Sequence, residues 1–273
     1  MHLKLFAAVL ALGGLLAAFP GAQLGVVAAV LGLGLLPPLL LLAYLLESGG
    51  GGQGLGPAWW LAVGAAVALA LLLAWPQLDL ALARAFYAPG KGFAARTALG
   101  EFGRVVGYMV PFLVLAGFVC AYFARMRGWW TPFAVSRRDL AFVALSMALG
   151  PGLIVNLAMK DHLHRPRPSQ LVEFGGAREY RPFWRFDGAC PKNCSFPSGE
   201  AAEAFWMLAP ASLAPPPWRG PAIAGAVVFG ALVGLLRMAF GGHFLSDVAI
   251  SALIMWGLLL ALHRWIYRGI SQK

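Results

Sequence analysis

Long apolar segments alternate with short polar segments along almost the whole chain. Apolar segments of roughly 17 to 25 residues cross the hydrocarbon core of a bilayer as helices, because a helix satisfies its own backbone polar groups. The pattern predicts spans at residues 3–19, 24–46, 58–75, 105–124, 140–159, 199–214, 221–239 and 246–267. The sixth is the weakest, since it contains Glu203 and Pro210. We therefore predict an all-α, polytopic membrane helical bundle with about eight transmembrane helices.

A glycine-rich stretch at residues 48–57 separates the first two predicted spans from the others. Glycine-rich chain is flexible, so this stretch predicts a linker. It divides the chain into an N-terminal transmembrane hairpin at residues 1–47 and a core at residues 58–273. Within the core, residues 77–104 mix leucine with charged residues and predict short helices at the membrane interface.

The composition supports this interpretation. The chain is 60% hydrophobic and 12% charged, whereas about a quarter of the residues of a soluble domain are charged. Its net charge is +10, which is compatible with either nucleic acid or acidic lipid as a partner. Because the Lys and Arg residues lie near the ends of apolar segments, we expect contacts with anionic membrane lipids and no nucleic acid.

Basic residues also predict the orientation of the helices. They are concentrated in the loop before the fifth span and in the C-terminal tail, as Arg125, Arg127, Arg137, Arg138, Arg264, Arg268 and Lys273. The positive-inside rule places both segments in the cytoplasm, so both termini are predicted to be cytoplasmic. The loop from Lys160 to Lys192 carries seven Lys or Arg residues and by count alone would also favour the cytoplasm. We assign those cations to an anion site and place this loop on the opposite face.

Three polar blocks, each next to a predicted span, contain most of the side chains suited to chemistry. They occupy residues 160–168, 195–200 and 237–247. Positive charge at the end of an apolar helix is costly and often marks function, and Arg and Lys both suit phosphate. The cations in question are Lys160, Arg167 and Arg237.

The second and third blocks add an anion-binding element and a nucleophile. Pro-Ser-Gly at residues 197–199 leads into an apolar helix, whose free amides favour an anion, although a plain capped helix start is the commoner explanation of such a tripeptide on its own. His243 precedes Asp247 by four residues, so on a helix the carboxylate can orient the imidazole. An isolated His-Asp pair is more often structural, and the two neighbouring phosphate-suited blocks favour the catalytic interpretation.

Together the blocks resemble the motifs of the type-2 phosphatidic acid phosphatase family: K-x-x-x-x-x-x-R-P at 160–168, P-S-G at 197–199 and R-x-x-x-x-x-H-x-x-x-D at 237–247. The resemblance covers about residues 57 to 270. It implies a six-helix core and hydrolysis of a phosphate ester through a phosphohistidine, without metal or cofactor. It further implies that His243 is the nucleophile, that Asp247 orients it, and that the phosphate is held by Lys160, Arg167, Ser198, Gly199 and Arg237.

Two positions depart from the family pattern. Leu236 replaces a common serine, and Glu200 replaces the histidine that commonly protonates the leaving group. A helix N-terminus favours the charged form of a carboxyl group, which makes Glu200 a poor general acid near neutral pH. We hypothesise that Glu200 still handles the proton, or that His162 or His164 replaces it; the alternative for these histidines is an interfacial role.

The segment at residues 183–196 is similar to the bacterial branch of the family that acts on lipid A, particularly the 4′-phosphatases. This likeness implies a phosphorylated lipid substrate and a site facing the periplasm of the inner membrane. Basic residues nearby would meet a second phosphate or an acidic sugar: Arg178, Arg181, Arg185 and Lys192. Undecaprenyl diphosphate or phosphatidylglycerophosphate as substrate, a lipid phosphotransferase, and a non-enzymatic transporter or binding protein remain alternatives.

Two of the three cysteines lie in this polar loop. Cys190 and Cys194 are spaced for a small disulfide if the loop faces an oxidising compartment, and two free thiols are the alternative. No second Cys or His pair with ligand spacing lies near them, so no metal site is predicted.

Overall fold

The computed structural model describes residues 58–131, 134–160 and 162–267. The predicted hairpin at 1–47 and the linker at 48–57 lie outside the described residues. Helices dominate the described part, together with one small antiparallel sheet in which Tyr87 pairs with Phe93 and Ala88 with Gly92. The described part is therefore mostly helical, as the sequence predicted.

The elements follow one another in this order: α1 Ala58–Ala74, α2 Gln77–Ala85, β1 Tyr87–Ala88, β2 Gly92–Phe93, α3 Ala98–Met126, α4 Arg137–Met147 continued by a π-helix Ala148–Met159, 3₁₀ turns Pro168–Gln170 and Val172–Phe174, α5 Gly199–Trp206, α6 Leu208–Ser212, α7 Pro216–Ala239 and α8 Leu245–Tyr267.

Four helices of the described part are long and apolar enough to cross a membrane: α3, the continuous helix Arg137–Met159, α7 and α8. They correspond to the predicted spans at 105–124, 140–159, 221–239 and 246–267. A fifth span results if Ala66–Ala74 and Gln77–Ala85, which meet at a bend of 84°, are counted as one segment. The described core is thus a multi-helix membrane bundle.

Local sequence explains where several helices begin and change. Thr97 caps α3 by accepting from the amide of Gly100 at 3.1 Å, and Ser136 and Asp139 form a capping box at the start of α4. Pro151 lacks the N–H that would bond the carbonyl of Met147, and from Ala148 the helix continues with the wider π spacing. This helix ends at Met159 and so presents Lys160 at its tip.

The sixth predicted span consists of two short helices, α5 and α6, which are shielded by their neighbours. Every residue of α5 except Glu200 is buried. The indole of Trp206 donates to Ser146 at 2.9 Å and to the Val143 carbonyl at 3.1 Å, which ties α5 to α4. A Cβ on Gly230 would lie 2.4 Å from the Phe205 ring, so glycine lets α7 approach α5 closely. This packing shields α5 and α6 from the lipid, although neither helix is long enough to cross the membrane by itself.

The helix directions gather the three polar blocks at one end of the bundle. At the opposite end, the Tyr267 hydroxyl donates to Asp139 at 2.6 Å, so α4 and α8 run antiparallel. The C-terminal ends of the Arg137–Met159 helix and α7 therefore meet the N-terminal ends of α5 and α8. The other end carries basic residues, among them Arg125, Arg137 and Arg264.

Candidate active site

Lys160 follows the π-helix directly and lies close to the other two predicted cations. It interacts electrostatically with Arg167, Glu200 and Arg237. Burial lowers the pKa of Lys160, and the neighbouring charge of Arg167 lowers it further. Two like charges this close to Lys160 cost free energy, which an anion bound among them would recover.

Arg167 is held in position by the loop that contains the two cysteines. Its Nε donates to the carbonyl of Asn193 at 3.0 Å and its Nη2 donates to the Asn193 side-chain oxygen at 2.7 Å. Its backbone amide donates to Gln170 at 3.0 Å. The planar guanidinium is thereby fixed before any anion arrives, which reduces the entropy lost on binding.

Ser198 and Gly199 form the start of α5 and connect it to α8. The Ser198 hydroxyl accepts from the amide of Ala201 at 3.3 Å, while the Ser198 amide donates to the Ser251 hydroxyl at 2.9 Å. A Cβ on Gly199 would lie 2.3 Å from the side-chain oxygen of Asn156, so only glycine fits this contact. The first turn of α5 can therefore approach an anion with its backbone amides.

Arg237 and Glu200 form an ion pair inside the site. Arg237 lies in the last turn of α7 and is buried, with its Nε 3.2 Å from Oε2 of Glu200. The other carboxylate oxygen of Glu200 lies 3.4 Å from Nε of Arg104 on α3. A Cβ on Gly242 would lie 2.8 Å from Nη2 of Arg237, so the backbone packs directly against the guanidinium. Glu200 is thus a counter-ion of both arginines.

His243 is buried and its ring is oriented by a backbone carbonyl. Its Nδ1 lies 2.6 Å from the carbonyl oxygen of Ser195. Because a carbonyl only accepts, Nδ1 carries the hydrogen and Nε2 keeps its lone pair. Burial lowers the pKa of His243 to about 4, so the imidazole is neutral near neutral pH. This tautomer and charge state are those of a nitrogen nucleophile.

Asp247 lies near His243 and is also connected to it indirectly, through a hydrogen bond with Ser195. Its Oδ2 is 3.6 Å from Nδ1 of His243 and accepts hydrogen bonds from the Ser195 hydroxyl and, at 2.7 Å, from the Phe244 amide. The Ser195 carbonyl is the nearer partner of Nδ1. Asp247 therefore holds Ser195 in place, and the Ser195 carbonyl orients the His243 imidazole.

Arg165 and Asp79 complete a buried charged network that the sequence did not indicate. Nη1 of Arg165 donates to Asp247 and to Ser246, the latter at 2.8 Å, and its Nη2 lies 2.7 Å from Asp79. Asp79 in turn accepts from the Ser246 amide at 2.9 Å. The network connects α2 to the first turn of α8, beside the predicted nucleophile.

The remaining candidates lie in the loop after Lys160. His162 and His164 are exposed, and Nδ1 of His164 lies 2.9 Å from the carbonyl of Cys190. Cys190 and Cys194 are joined in a disulfide. The structure therefore places Glu200, rather than either of these histidines, against Arg237.

An open cleft of about 500 Å³ lies over this end of the bundle. Its walls are formed by Arg96, Thr97, Ala98, Glu101, Arg104, Arg167, Ser169, Arg237, Phe240 and Gly242. Arg96 and Arg104 belong to residues 77–104, which the sequence predicted to form interfacial helices. No motif marked either arginine as a site residue. Positive charge in a cleft concentrates anions, so the site suits a phosphate ester.

Comparisons with known proteins agree with this chemistry. Residues 139–271 match the model of the PAP2 superfamily. Three curated lipid A 4′-phosphatases are similar: that of Francisella tularensis subsp. novicida (31% identity over 74% of this chain and 89% of the relative), that of Rhizobium leguminosarum (32%, 75% and 92%) and that of Rhizobium etli (31%, 75% and 84%). No solved structure matches the chain. The motifs and these relatives lead to one conclusion, that the chain belongs to the PAP2 superfamily.

Proposed function

We propose that this protein is a membrane lipid phosphatase that removes the 4′-phosphate of lipid A through a phosphohistidine. The observation that carries the proposal is the placement of buried His243, whose Nδ1 lies 2.6 Å from the Ser195 carbonyl oxygen and whose ring interacts electrostatically with Arg167 and Arg237. The three relatives, each named a lipid A 4′-phosphatase, support the substrate.

In the first step the lone pair of His243 Nε2 attacks phosphorus. The nitrogen–phosphorus bond forms while the bond between phosphorus and the sugar oxygen breaks, and that oxygen takes up a proton. Lys160, Arg167 and Arg237 stabilise the charge on the equatorial oxygens, together with the amides at the start of α5. Positive charge develops on the imidazole ring, and the carboxylate of Asp247 stabilises it.

In the second step water attacks the phosphohistidine. The nitrogen–phosphorus bond breaks, phosphate leaves, and His243 regains its neutral form. The group that gave its proton to the sugar oxygen takes one back from the attacking water. Transfer to a second lipid hydroxyl in place of water would make the protein a phosphotransferase, which analysis of the radiolabelled products distinguishes.

We assign the proton transfer to Glu200, because its carboxylate lies within ion-pair distance of Arg237 in the site. A phosphate bound by Arg237 would compete for that ion pair, and the freed Glu200 carboxylate would take up the proton of the singly protonated phosphate and pass it to the sugar oxygen. The pH profiles of Glu200→Gln and His164→Ala test the assignment. If Glu200→Gln keeps full activity at every pH, the role passes to His162 or His164.

The reaction is proposed to be metal-independent. Side-chain cations meet the phosphate charge, and in the described part of the chain no three His, Cys, Asp or Glu side chains are grouped as a metal site. Activity in excess chelator is the expected result. Loss of activity in chelator with recovery on adding a divalent ion would overturn this part of the proposal.

The proposed orientation places the active site in the periplasm and both termini in the cytoplasm. The end of the bundle opposite the site carries Arg125, Arg137 and Arg264, as the positive-inside rule requires of a cytoplasmic face. The disulfide supports an oxidising compartment at the site. On this proposal α1 with α2, α3, α4, the α5–α6 pair, α7 and α8 are the six-helix core, which the N-terminal hairpin extends to about eight spans.

The direct test is phosphate release by the purified protein from lipid A, undecaprenyl diphosphate and phosphatidylglycerophosphate. We expect release from lipid A, with mass spectrometry showing loss from the 4′ position. Preference for either other lipid would keep the chemistry and overturn the substrate. No release from any of the three would favour a transferase, or a transporter or binding protein without enzymatic activity.

A further inference from the structure

We propose that the cleft contains a second anion subsite, centred on Arg96, that binds another acidic group of the same lipid next to the phosphate being removed. The inference rests on the proposed function and specifies its substrate class as a lipid with two acidic groups. Arg96 matches none of the three motif blocks, and it lines the same cleft as Arg167 and Arg237.

Arg96 is attached firmly to the end of the helix that carries Arg237. The amide of Ala95 donates to the carbonyl of Ala239 at 3.1 Å, and Nε of Arg96 donates to the carbonyl of Phe240 at 3.2 Å. Both acceptors lie within three residues of Arg237 along the chain. One backbone and one side-chain hydrogen bond therefore hold Arg96 against the end of α7, and the terminal nitrogens of Arg96 remain available to a ligand.

The charge balance of the cleft leaves room for a second acidic group. Four arginines and Glu101 line it, Lys160 interacts with its cations, and Glu200 pairs with two of them. Glu203 also interacts with Lys160, so these groups comprise five cations and three carboxylates. A phosphate monoester carries about −1.5 to −2 at neutral pH, which the motif cations Lys160, Arg167 and Arg237 can balance without Arg96.

Two arginines that line the cleft, Arg96 and Arg104, lie outside the motifs. Within the described residues 58–131, 134–160 and 162–267, Arg96 has no carboxylate partner. Arg104 pairs with Glu101 at 2.9 Å and with Glu200 at 3.4 Å. The contacts of Arg96 are the Phe240 carbonyl and the face of the Phe93 ring. The exposed guanidinium of Arg96 is therefore accessible to an anion in the cleft.

The basic loop that the sequence suggested for a second acidic group is a weaker candidate. Arg181 lies 2.9 Å from Glu179, and Arg185 pairs with Asp187. Arg181 and Arg185 thus already have carboxylate partners on the same loop, and Arg178 and Lys192 do not line the cleft. Arg96 in the cleft can bind an anion without first losing a carboxylate partner.

An acidic group near Arg96 could come from the substrate itself or from a neighbouring anionic lipid of the bilayer. The attachment of Arg96 to the end of α7 favours the substrate, because a cation that serves only the membrane surface has no need to be held beside the phosphate cradle. The test separates the two sources.

We would measure kcat/KM for lipid A that carries only the 4′-phosphate and for lipid A that carries a second phosphate, both in neutral detergent. The wild-type protein should prefer the doubly phosphorylated lipid, and Arg96→Gln should reduce this preference about tenfold, as expected for loss of a charge-assisted hydrogen bond. Arg84→Gln is the matched control, since Arg84 is an exposed arginine on α2 outside the cleft. It should leave the preference unchanged.

Equal preference in wild type and Arg96→Gln would overturn the subsite. A reduction that appears only after phosphatidylglycerol is added, and that is equal for the two substrates, would assign Arg96 to the membrane surface and also overturn it. Failure of the wild-type protein to release phosphate from either lipid is a different result, which contradicts the proposed function itself. Because Arg96 is exposed, its substitution should leave folding intact.

Discussion

The guanidinium of Arg165 donates a hydrogen bond to the carboxylate of Asp247, deep inside the protein, and only 1% of the Arg165 side chain is exposed. Its second terminal nitrogen lies 2.7 Å from Asp79. The carboxylate that serves the proposed nucleophile is therefore neutralised by a cation outside the phosphate cradle. Asp247 therefore does not depend on the proposed cradle cations Lys160, Arg167 and Arg237 for its counter-charge.

Replacing Arg165 with glutamine should destabilise the fold, because it leaves the carboxylates of Asp79 and Asp247 buried without a cation. Removal of one partner from a buried ion pair costs about 3–5 kcal/mol. Thermal unfolding in detergent measures the effect. Arg185→Gln, which removes an exposed ion pair in the same loop, is the control and should leave the unfolding temperature unchanged. An equally small shift for both variants would contradict the proposed importance of the network.

Asp247→Asn should be less damaging to catalysis than His243→Gln. The Ser195 carbonyl continues to select the tautomer with hydrogen on Nδ1, so Nε2 remains a nucleophile. We expect kcat to fall about 10- to 100-fold in Asp247→Asn and by about 10⁴-fold or more in His243→Gln. Single-turnover phosphate release measures both. Equal losses would show that the carbonyl contact alone does not orient the imidazole.

The acid limb of kcat/KM should lie well below the ordinary pKa of histidine. Burial lowers the pKa of His243 to about 4, so the free enzyme keeps an unprotonated nucleophile down to about that pH. Protonation in the folded state therefore begins only as the pH falls towards 4, whereas an exposed histidine loses its lone pair near 6.5. The measurement is kcat/KM against pH, with the substrate phosphate titrated separately by ³¹P NMR. A limb near 6.5 that the substrate does not explain would contradict the burial argument.

Breaking the disulfide should weaken substrate binding more than it weakens the fold. The loop it closes is short, so its contribution to stability is about 2 kcal/mol in the chain-entropy model. The same loop holds Arg167 through Asn193. We expect Cys190→Ser/Cys194→Ser to raise KM, with dithiothreitol having the same effect on the wild-type protein and none on the variant. An unchanged KM would show that the loop holds Arg167 without the disulfide.

The longest helices were predictable because each is an apolar segment of spanning length. Their ends were less so. Helix α3 begins at Ala98 rather than near residue 105, since Thr97 caps it and its first turns carry Glu101 and Arg104 into the cleft. From the sequence, this charged segment was predicted to lie at the membrane interface. Hydropathy alone does not show that the end of a helix faces a binding cleft.

The meeting of the three motif blocks at one end of the bundle was predictable because each block lies next to a predicted span, while the roles of their residues stay predictions. The contact between Arg165 and Asp79 was not predictable, since it joins residues far apart in sequence and depends on how α2 packs against α8. The role of the Ser195 carbonyl was hidden for a different reason. A backbone acceptor leaves no signature in residue type, so only the fold reveals that it holds His243.

The central claim is that His243 carries the phosphoryl group during turnover. The most direct measurement is rapid quenching of the purified protein in base after mixing with lipid A labelled with ³²P at the 4′ position. We expect label on the wild-type protein that is stable to base and labile to acid, maps to His243 and is absent from His243→Gln. Phosphate release by the wild-type protein without such label, or equal labelling of His243→Gln, would contradict the account.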